Sequence, residues 1–100
     1  MLGIGGFVYI LTNKNHSVLY IGVTSDLQAR INEHRDKRYP GSYTAKYNAK
    51  KLVYYEMFDD IVSAIDREKY LKRKRRSYKL ELINDLNPDW LDLFDQVKLW

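Results

Sequence analysis

Three short runs in the first sixty residues are apolar and rich in β-branched and aromatic side chains. They cover 7–12, 18–23 and 52–58, and turn-forming residues at 13–17 separate the first two. Such runs predict strands, and the first pair predicts a β-hairpin. Both hairpin strands are apolar on both faces instead of alternating with polar residues. We therefore expect other elements to cover each face of the sheet.

Apolar residues at helical spacing follow the hairpin and the third strand. A helix is predicted over about 26–36, with its N-cap near Thr24 or Ser25, and another begins at Ile61 after two aspartates that are good N-caps. A further helical stretch covers 80–86, whereas 43–51 has no clean period and reads as a loop with room for a helical turn. The order β-β-α-β-α-α predicts an α+β fold, a small three-stranded antiparallel sheet flanked by helices.

Composition limits the size and the chemistry of this fold. The 100 residues are 45% apolar and 30% charged, which is enough for one domain, and we expect its core to span about 7–94. No run is long and apolar enough to cross a membrane, and the N-terminus has no charged region before an apolar stretch, so we expect a cytoplasmic protein. Cysteine is absent, which favours hard cations such as Mg²⁺ at any metal site.

The positive charge is concentrated in one segment. The net charge is +4, and eight of the 17 lysines and arginines lie in 67–79. Glu68 is the only acidic residue in that segment. The densest part is Arg73, Lys74, Arg75 and Arg76. Such a cluster is expected to contact a nucleic-acid backbone, although a solvated helix face is the ordinary alternative. Tyr70 and Tyr78 flank the run and could stack on unpaired bases.

Five short motifs, taken in order, resemble the GIY-YIG nuclease domain and especially its small stand-alone bacterial members. They are V-Y-I-L at 8–11, L-Y-I-G-V-T at 19–24, D-L-x-x-R-x-x-x-H at 26–34, A-x-x-R-E-K at 64–69 and L-I-x-x-x-N-P-x-W at 82–90. The resemblance extends from Phe7 to about Leu93. The sequence departs from the pattern at Phe7, which replaces the glycine of the family name.

The resemblance implies a Mg²⁺-dependent (or Mn²⁺-dependent) endonuclease that cleaves DNA phosphodiester bonds, with a tyrosine assisting the attack of water and with one metal ion. It also favours a role in DNA repair. Glu68 is the implied metal ligand, and Gly22 is a place where a phosphate could approach the backbone. The implied catalytic residues are Tyr9, Tyr20, Arg30, His34 and Asn87.

The spacing of these residues suits the implied chemistry. If the hairpin turns through a four-residue loop at 13–16, Tyr9 lies directly opposite Tyr20, and both hydroxyls leave the same face. Arg30 and His34 are four apart and share a helical face. Arg30 offers a planar fork of donors for phosphate, and His34 could donate to the same phosphate or orient a tyrosine.

Two assignments keep alternatives. Glu68 lies at the apolar edge of its helix, where it could be the single protein ligand of Mg²⁺, but it could equally form an i,i+4 pair with Lys72. Asn87 aligns with an asparagine of the family, whereas Asn84 is a second candidate, and Asn87 could also simply cap the turn before Pro88.

Two other functions compete with cleavage. One is a nucleic-acid-binding module of the same fold with little or no nuclease activity. The other is a protein-interaction domain that uses the tyrosine-rich segment 39–47 and the acidic C-terminal segment. The presence of the complete motif set favours the endonuclease.

Overall fold

A computed structural model describes residues 5–37 and 39–100, and its sheet consists of three antiparallel strands. The strands are β1 (Gly6–Thr12), β2 (Leu19–Thr24) and β3 (Lys51–Phe58). β1 lies in the centre, between β2 and β3. The predicted α+β fold with a small antiparallel sheet is confirmed. The expectation about the N-terminus rests partly on residues 1–4, which lie outside the described residues.

Helices follow the strands at the predicted places. They are α1 (Leu27–Arg35), α2 (Tyr43–Lys46), α3 (Ile61–Lys72), α4 (Arg76–Leu86) and α5 (Phe94–Val97). The basic segment does not continue α3 as one long helix, because α3 ends at Lys72 and α4 begins again at Arg76. Within 5–37 and 39–100, no helix is both long and apolar enough to cross a membrane.

Aspartates begin the two long helices that flank β2. The side chain of Asp26 accepts a hydrogen bond from the Ala29 amide at 3.1 Å, and that of Asp60 accepts one from the Ser63 amide at 2.7 Å. Thr24, one of the two expected caps of α1, instead accepts a hydrogen bond from the Asp26 amide at 3.1 Å. Each aspartate satisfies an amide that the first helical turn leaves unpaired, and its charge suits the positive end of the helix.

Each face of the sheet has its own buried cluster, as the two apolar strand faces predict. On one face, Tyr9 and Leu11 pack with residues of α1 and α5. On the other face, Val8 and Ile10 pack with residues of α3 and α4. The central strand is thus buried on both sides, which gives the side chains of β1 fixed positions.

The predicted pairing of the hairpin is wrong by two residues. Tyr9 pairs with Gly22 and Tyr20 pairs with Leu11, so the loop spans 13–18 and not 13–16. The Asn13 carboxamide oxygen accepts hydrogen bonds from the amides of Ser17 and Val18 at 2.8 and 3.3 Å, which stabilises the longer loop. A shift of two residues leaves every side chain on its original face. The two tyrosines therefore still project from the same side of the sheet.

The two edge strands of the sheet, β2 and β3, have different neighbours. The C-terminal segment covers part of β3, where the Leu93 amide donates to the Leu52 carbonyl at 2.7 Å. β2 forms the opposite edge, and α3 packs against both β1 and β2. The side chains of β2 therefore lie beside those of both β1 and α3.

Candidate active site

The ring of Tyr9 lies across the glycine of the neighbouring strand. Tyr9 is 1% exposed, and a Cβ atom at Gly22 would come within 2.3 Å of the Tyr9 hydroxyl oxygen. Any side chain at Gly22 would therefore displace the tyrosine. The absence of a side chain at Gly22 therefore leaves room for the Tyr9 ring. The approach of a phosphate to the Gly22 backbone stays a prediction.

A chain of hydrogen bonds extends from Tyr9 into the protein. Its hydroxyl is bonded to His34 Nε2 at 2.9 Å, and His34 Nδ1 is bonded to the Thr44 hydroxyl at 2.8 Å. Thr44 is 3% exposed. Its hydroxyl lies 3.3 Å from that of Ser42, the N-cap of α2. His34 thus orients a tyrosine, one of the two roles that the sequence allowed.

His34 is neutral in this setting. Burial, followed by the nearby charge of Arg30, lowers the pKa of His34 to about 4. A neutral imidazole has one N–H donor and one nitrogen acceptor. The ring therefore donates on one side and accepts on the other, so that the states of the Tyr9 and Thr44 hydroxyls are linked through it.

Opposing charges act on Tyr9 itself. Burial is the main cause that raises the pKa of Tyr9, and the neighbouring Tyr20 and the charge of Glu68 add to it. Arg30 acts in the opposite direction and stabilises the phenolate. Residues of β2, α1 and α3 therefore influence the charge state of one hydroxyl.

Arg30 is anchored beside this hydroxyl. Its guanidinium pairs with Glu33 at 2.8 Å, the main cause that raises the pKa of Arg30, and its side chain is 31% exposed. It lines a small cavity of about 70 Å³ together with Tyr20, His34 and Tyr43. An arginine has five donors, so the pair with Glu33 leaves others for an anion.

Tyr20 connects two cavities along the edge of β2. Its ring centroid lies 6.3 Å from that of Tyr9, 5.5 Å from that of His34 and 6.1 Å from that of Tyr43. Tyr20 and Tyr43 also line a larger cavity of about 380 Å³, which Lys72 and Lys79 border. Together the two cavities form a groove with aromatic walls and cations at both ends, which we call the β2 groove.

Glu68 forms the predicted i,i+4 pair with Lys72, and its role as a metal ligand stays a prediction. Its Oε2 pairs with Lys72 Nζ at 3.0 Å, and its side chain is only 14% exposed. Within the described residues no hydrogen bond reaches its Oε1, and no group of three or more metal-ligating side chains exists. Mg²⁺ in proteins is commonly held by one or two carboxylates with water and substrate phosphates. Glu68 fits that donor set as a single ligand.

Asn87 does not join these residues. Its carboxamide donates to the carbonyls of Val53 and Leu91 at 3.2 and 2.8 Å and accepts from the Leu91 amide at 3.0 Å. These partners belong to β3 and the segment after α4, at the sheet edge opposite β2. The predicted catalytic place of Asn87 is therefore corrected to a buried structural one. Asn84 is no substitute, because it accepts from Trp90 Nε1 at 2.7 Å.

The basic cluster covers the connection between α3 and α4 and the first residue of α4, Arg76. Arg73, Arg75 and Arg76 are exposed, and Arg76 donates to the His16 carbonyl at 2.9 Å. Lys74 lies over the rings of Tyr70 and Tyr78, at 4.6 and 5.4 Å from their centroids. These two tyrosines therefore position a lysine, and their stacking on bases stays a prediction.

Sequence reasoning missed several side chains around the site. Thr44 and Ser42 support His34, while Tyr43 and Lys79 line the β2 groove. Ser42, Tyr43 and Thr44 lie in a segment whose apolar residues have no periodic pattern. No signal therefore separated them from ordinary loop residues. The one recognisable signal was the residue type of Ser42, because serine is preferred at the N-cap of a helix and Ser42 caps α2.

Comparison with known families agrees with this arrangement. The model of the GIY-YIG catalytic domain matches residues 5–81. The match includes Tyr9, Tyr20, Arg30, His34 and Glu68. It ends before Asn84 and Asn87.

Similar proteins are small and bacterial. A UPF0213 protein of Syntrophus aciditrophicus is 36% identical over 83% of this chain and 93% of its own length. Another, from Clostridium perfringens, is 41% identical over 78% of this chain and 82% of its own. The NMR structure of a UPF0213 protein from Bacillus halodurans superimposes with a TM-score of 0.52 at 29% identity, covering 85% of this chain and 87% of that one.

Proposed function

Because the chain belongs to the GIY-YIG catalytic domain family, we propose that it is an endonuclease that hydrolyses phosphodiester bonds in DNA with one Mg²⁺ or Mn²⁺ ion. The observation that carries this proposal is the hydrogen bond between the Tyr9 hydroxyl and His34 Nε2, with Arg30 and Tyr20 in the cavity beside His34 and with Lys72, the partner of Glu68, at the adjoining cavity. Hydrolysis needs a held phosphate, a proton acceptor for water and a positive charge at the leaving oxygen. Each need has a candidate residue in this group.

Arg30 and the β2 groove would bind the substrate. The guanidinium fork suits two oxygens of a phosphate, which a lysine would contact only as a point charge. Lys72 and Lys79 border the groove beyond Tyr20, in the direction that a continuing backbone could follow. The rings of Tyr20 and Tyr43 offer flat surfaces to bases or sugars.

Tyr9 is the proposed proton acceptor. Tyr9 would act as the phenolate, after release of its own proton to solvent. Water would attack phosphorus while one proton of the water passes to the phenolate, the bond to the 3′ oxygen would break, and the leaving oxygen would take a proton from solvent. A phenolate needs stabilisation at neutral pH. Arg30 provides positive charge, and His34 Nε2 is within hydrogen-bonding distance when it carries the ring proton. Tyr20, which lines both cavities, would position the water.

Glu68 would hold the cation through its carboxylate, with the contact to Lys72 exchanged for the ion. When bound, such an ion supplies the positive charge that neutralises the leaving 3′ oxygen. Removal of the carboxylate should therefore abolish cleavage without preventing DNA binding, since loss of an acid from a basic surface favours a polyanion.

The decisive experiment compares Glu68→Gln with Glu81→Gln. Glu81 is an exposed glutamate on α4, so both variants lose one negative charge. Cleavage of labelled single-stranded, duplex and branched DNA, and of RNA, is followed with Mg²⁺ and with a chelator. Thermal melts confirm folding, and a binding titration accompanies each assay.

We expect Mg²⁺-dependent cleavage of DNA by the wild type and by Glu81→Gln, and none by a folded Glu68→Gln. Cleavage by Glu68→Gln at the wild-type rate would remove Glu68 from the mechanism. A wild type that binds DNA and cleaves none of the substrates would instead indicate the binding module of the same fold. Cleavage confined to RNA would correct the substrate.

A further inference from the structure

A second polar cavity lies at the hairpin end of the sheet. It has a volume of about 470 Å³. The segment 43–48 separates it from the candidate active site, because Tyr43 and Thr44 line the small cavity there whereas Asn48 lines this one. We call it the hairpin-end pocket. Its charged lining residues are Lys14, Arg35, Lys50, Lys51 and Asp92.

Four cations thus face one acid, and that acid is already engaged. The Asp92 carboxylate pairs with the Arg35 guanidinium and accepts hydrogen bonds from the amides of Leu52 and Phe94 at 3.3 and 3.0 Å. It therefore has little capacity to neutralise the lysines. The exposed Lys14 and Lys50 have no ion pair within the described residues.

Arg35 gives the pocket a fixed wall. Its guanidinium carbon lies 4.4 Å from the centroid of the Phe94 ring, and its buried Nε has no hydrogen-bond partner within 5–37 and 39–100. A cation held against an aromatic ring and one carboxylate cannot swing freely into solvent. The positive charge on this side of the pocket is therefore in place before any ligand arrives.

Lys51 adds a second positioned charge. Its Nζ lies 3.1 Å from Nε2 of His16, whose ring stacks on Trp90 at 4.5 Å. Burial and the charge of Lys51 lower the pKa of His16, so the imidazole is a neutral neighbour. A neutral ring can accept a hydrogen bond from the ammonium and does not cancel its charge.

We propose that the hairpin-end pocket binds a phosphate group. Its cations outnumber its acids, two of them are anchored, and its volume admits a phosphate with an attached sugar. The phosphate could belong to a nucleic-acid backbone or to a free phosphate or nucleotide. The proposal does not require cleavage at the β2 groove, and so it stands apart from the proposed endonuclease function.

Amide chemical shifts of the ¹⁵N-labelled protein test this proposal directly. The probes are inorganic phosphate and a short single-stranded DNA, both with a chelator present so that no cleavage occurs. We expect saturable shifts at the amides of Thr12, Asn48, Lys50 and Lys51. Shifts with both probes indicate a general phosphate site, shifts with DNA alone indicate a backbone site, and shifts with phosphate alone indicate a free ligand.

A charge-matched pair of variants separates a site from general attraction. Lys14→Gln/Lys50→Gln removes two charges from the pocket, and Lys46→Gln/Lys98→Gln removes two elsewhere on the surface. We expect the pocket variant to weaken the binding measured at these amides at least tenfold and the control to leave it within twofold.

For DNA, the pocket variant should also flatten the slope of log K against log salt by about 0.7 per lost contact. The proposal is overturned if neither probe shifts the pocket amides or if both variants weaken binding equally. A wild type that shows these shifts yet never cleaves DNA would refute the proposed endonuclease and leave the phosphate site intact.

Discussion

Thr44 acts on Tyr9 indirectly, through His34. Its hydroxyl contacts His34 Nδ1, whose other nitrogen contacts Tyr9. A hydroxyl can donate or accept, so it satisfies either tautomer of the neutral imidazole. The ring can therefore keep its orientation when Tyr9 gains or loses a proton, which is what a proton acceptor requires of its neighbours.

Substitution of Thr44 should then affect catalysis and not only stability. Thr44→Val keeps the shape and leaves His34 Nδ1 unsatisfied in a buried place, so we expect the cleavage rate to fall by about tenfold or more, equivalent to about 1.4 kcal/mol. Thr44→Ser should retain most of the rate. Single-turnover cleavage across pH distinguishes the two, since loss of tautomer control also moves the pH profile. Equal rates for both folded variants would contradict this role.

The depressed pKa of His34 makes stability depend on pH in a definite direction. Between its ordinary value of 6.5 and its folded value of about 4, the unfolded chain binds a proton and the folded chain does not. The stability that His34 contributes is therefore fully present above pH 6.5 and is lost as the pH falls toward 4.

Urea unfolding at pH 7.5 and pH 5 measures this effect. We expect the wild type to lose stability between the two conditions and His34→Gln, which cannot titrate, to lose less. The other histidine, His16, also has a lowered pKa, so His16→Gln shows how much of the pH dependence His16 contributes. If His34→Gln and the wild type respond identically, His34 does not carry the pH dependence.

Single residues were predictable from the sequence where a motif fixed both type and spacing. Tyr9, Tyr20, Arg30 and His34 meet as the motifs indicate. The purpose of Gly22 was not predictable, because it depends on which residue of β1 pairs with it. Thr44 was also missed. Its role follows from one helical turn in a segment with no periodic pattern.

At the scale of secondary-structure elements, Asn87 connects α4, β3 and the segment that follows α4. It ends α4, donates to the Val53 carbonyl of β3 and shapes the turn toward Leu91 through hydrogen bonds in both directions. It is 4% exposed. A buried carboxamide with three partners stabilises the packing of the C-terminal segment against β3.

We expect Asn87→Ala to destabilise the fold by about 1–3 kcal/mol, because it leaves buried carbonyl and amide groups without partners. At a temperature where both proteins are folded, the cleavage rate should remain that of the wild type. Asn84→Ala is the control, because Asn84 is exposed. Denaturant unfolding and a cleavage time course check both points. A stable Asn87→Ala variant without cleavage would return Asn87 to the catalytic set.

The elements themselves were predictable because their patterns are local. Three strands, α1, α3 and α4 follow from short apolar runs and helical spacing, and the aspartates before α3 also predicted its start. The N-cap of α1 was predicted at Thr24 or Ser25 and is Asp26 instead. The register of the hairpin was not predictable, since it depends on hydrogen bonds that the side-chain oxygen of Asn13 accepts within the longer loop. The break between α3 and α4 was also hidden, because a continuous run of charged residues has no apolar period to interrupt.

At the scale of the whole molecule, the fold concentrates positive charge beside the β2 groove. Lys72 and Lys79 border the groove, and the connection that begins directly after Lys72 carries Arg73 and Arg75 into solvent. Burial, with a contribution from Arg76, lowers the pKa of Lys79, so these cations are close enough to repel one another. Such crowding is tolerable where a polyanion shares the surface, and it favours association with nucleic acid.

The connection should therefore contribute to affinity through backbone phosphates. Arg73→Gln/Arg75→Gln changes two exposed side chains, and we expect it to flatten the slope of log K against log salt by about 0.7–0.9 for each lost contact. Lys46→Gln/Lys98→Gln, with the same change in net charge, should keep the wild-type slope if the contacts are local. Fluorescence titrations of one DNA at several salt concentrations, with a chelator present, provide the slopes. Equal slopes for all three proteins would mean that this connection is a solvated surface, because only phosphates in contact with the protein release their counterions.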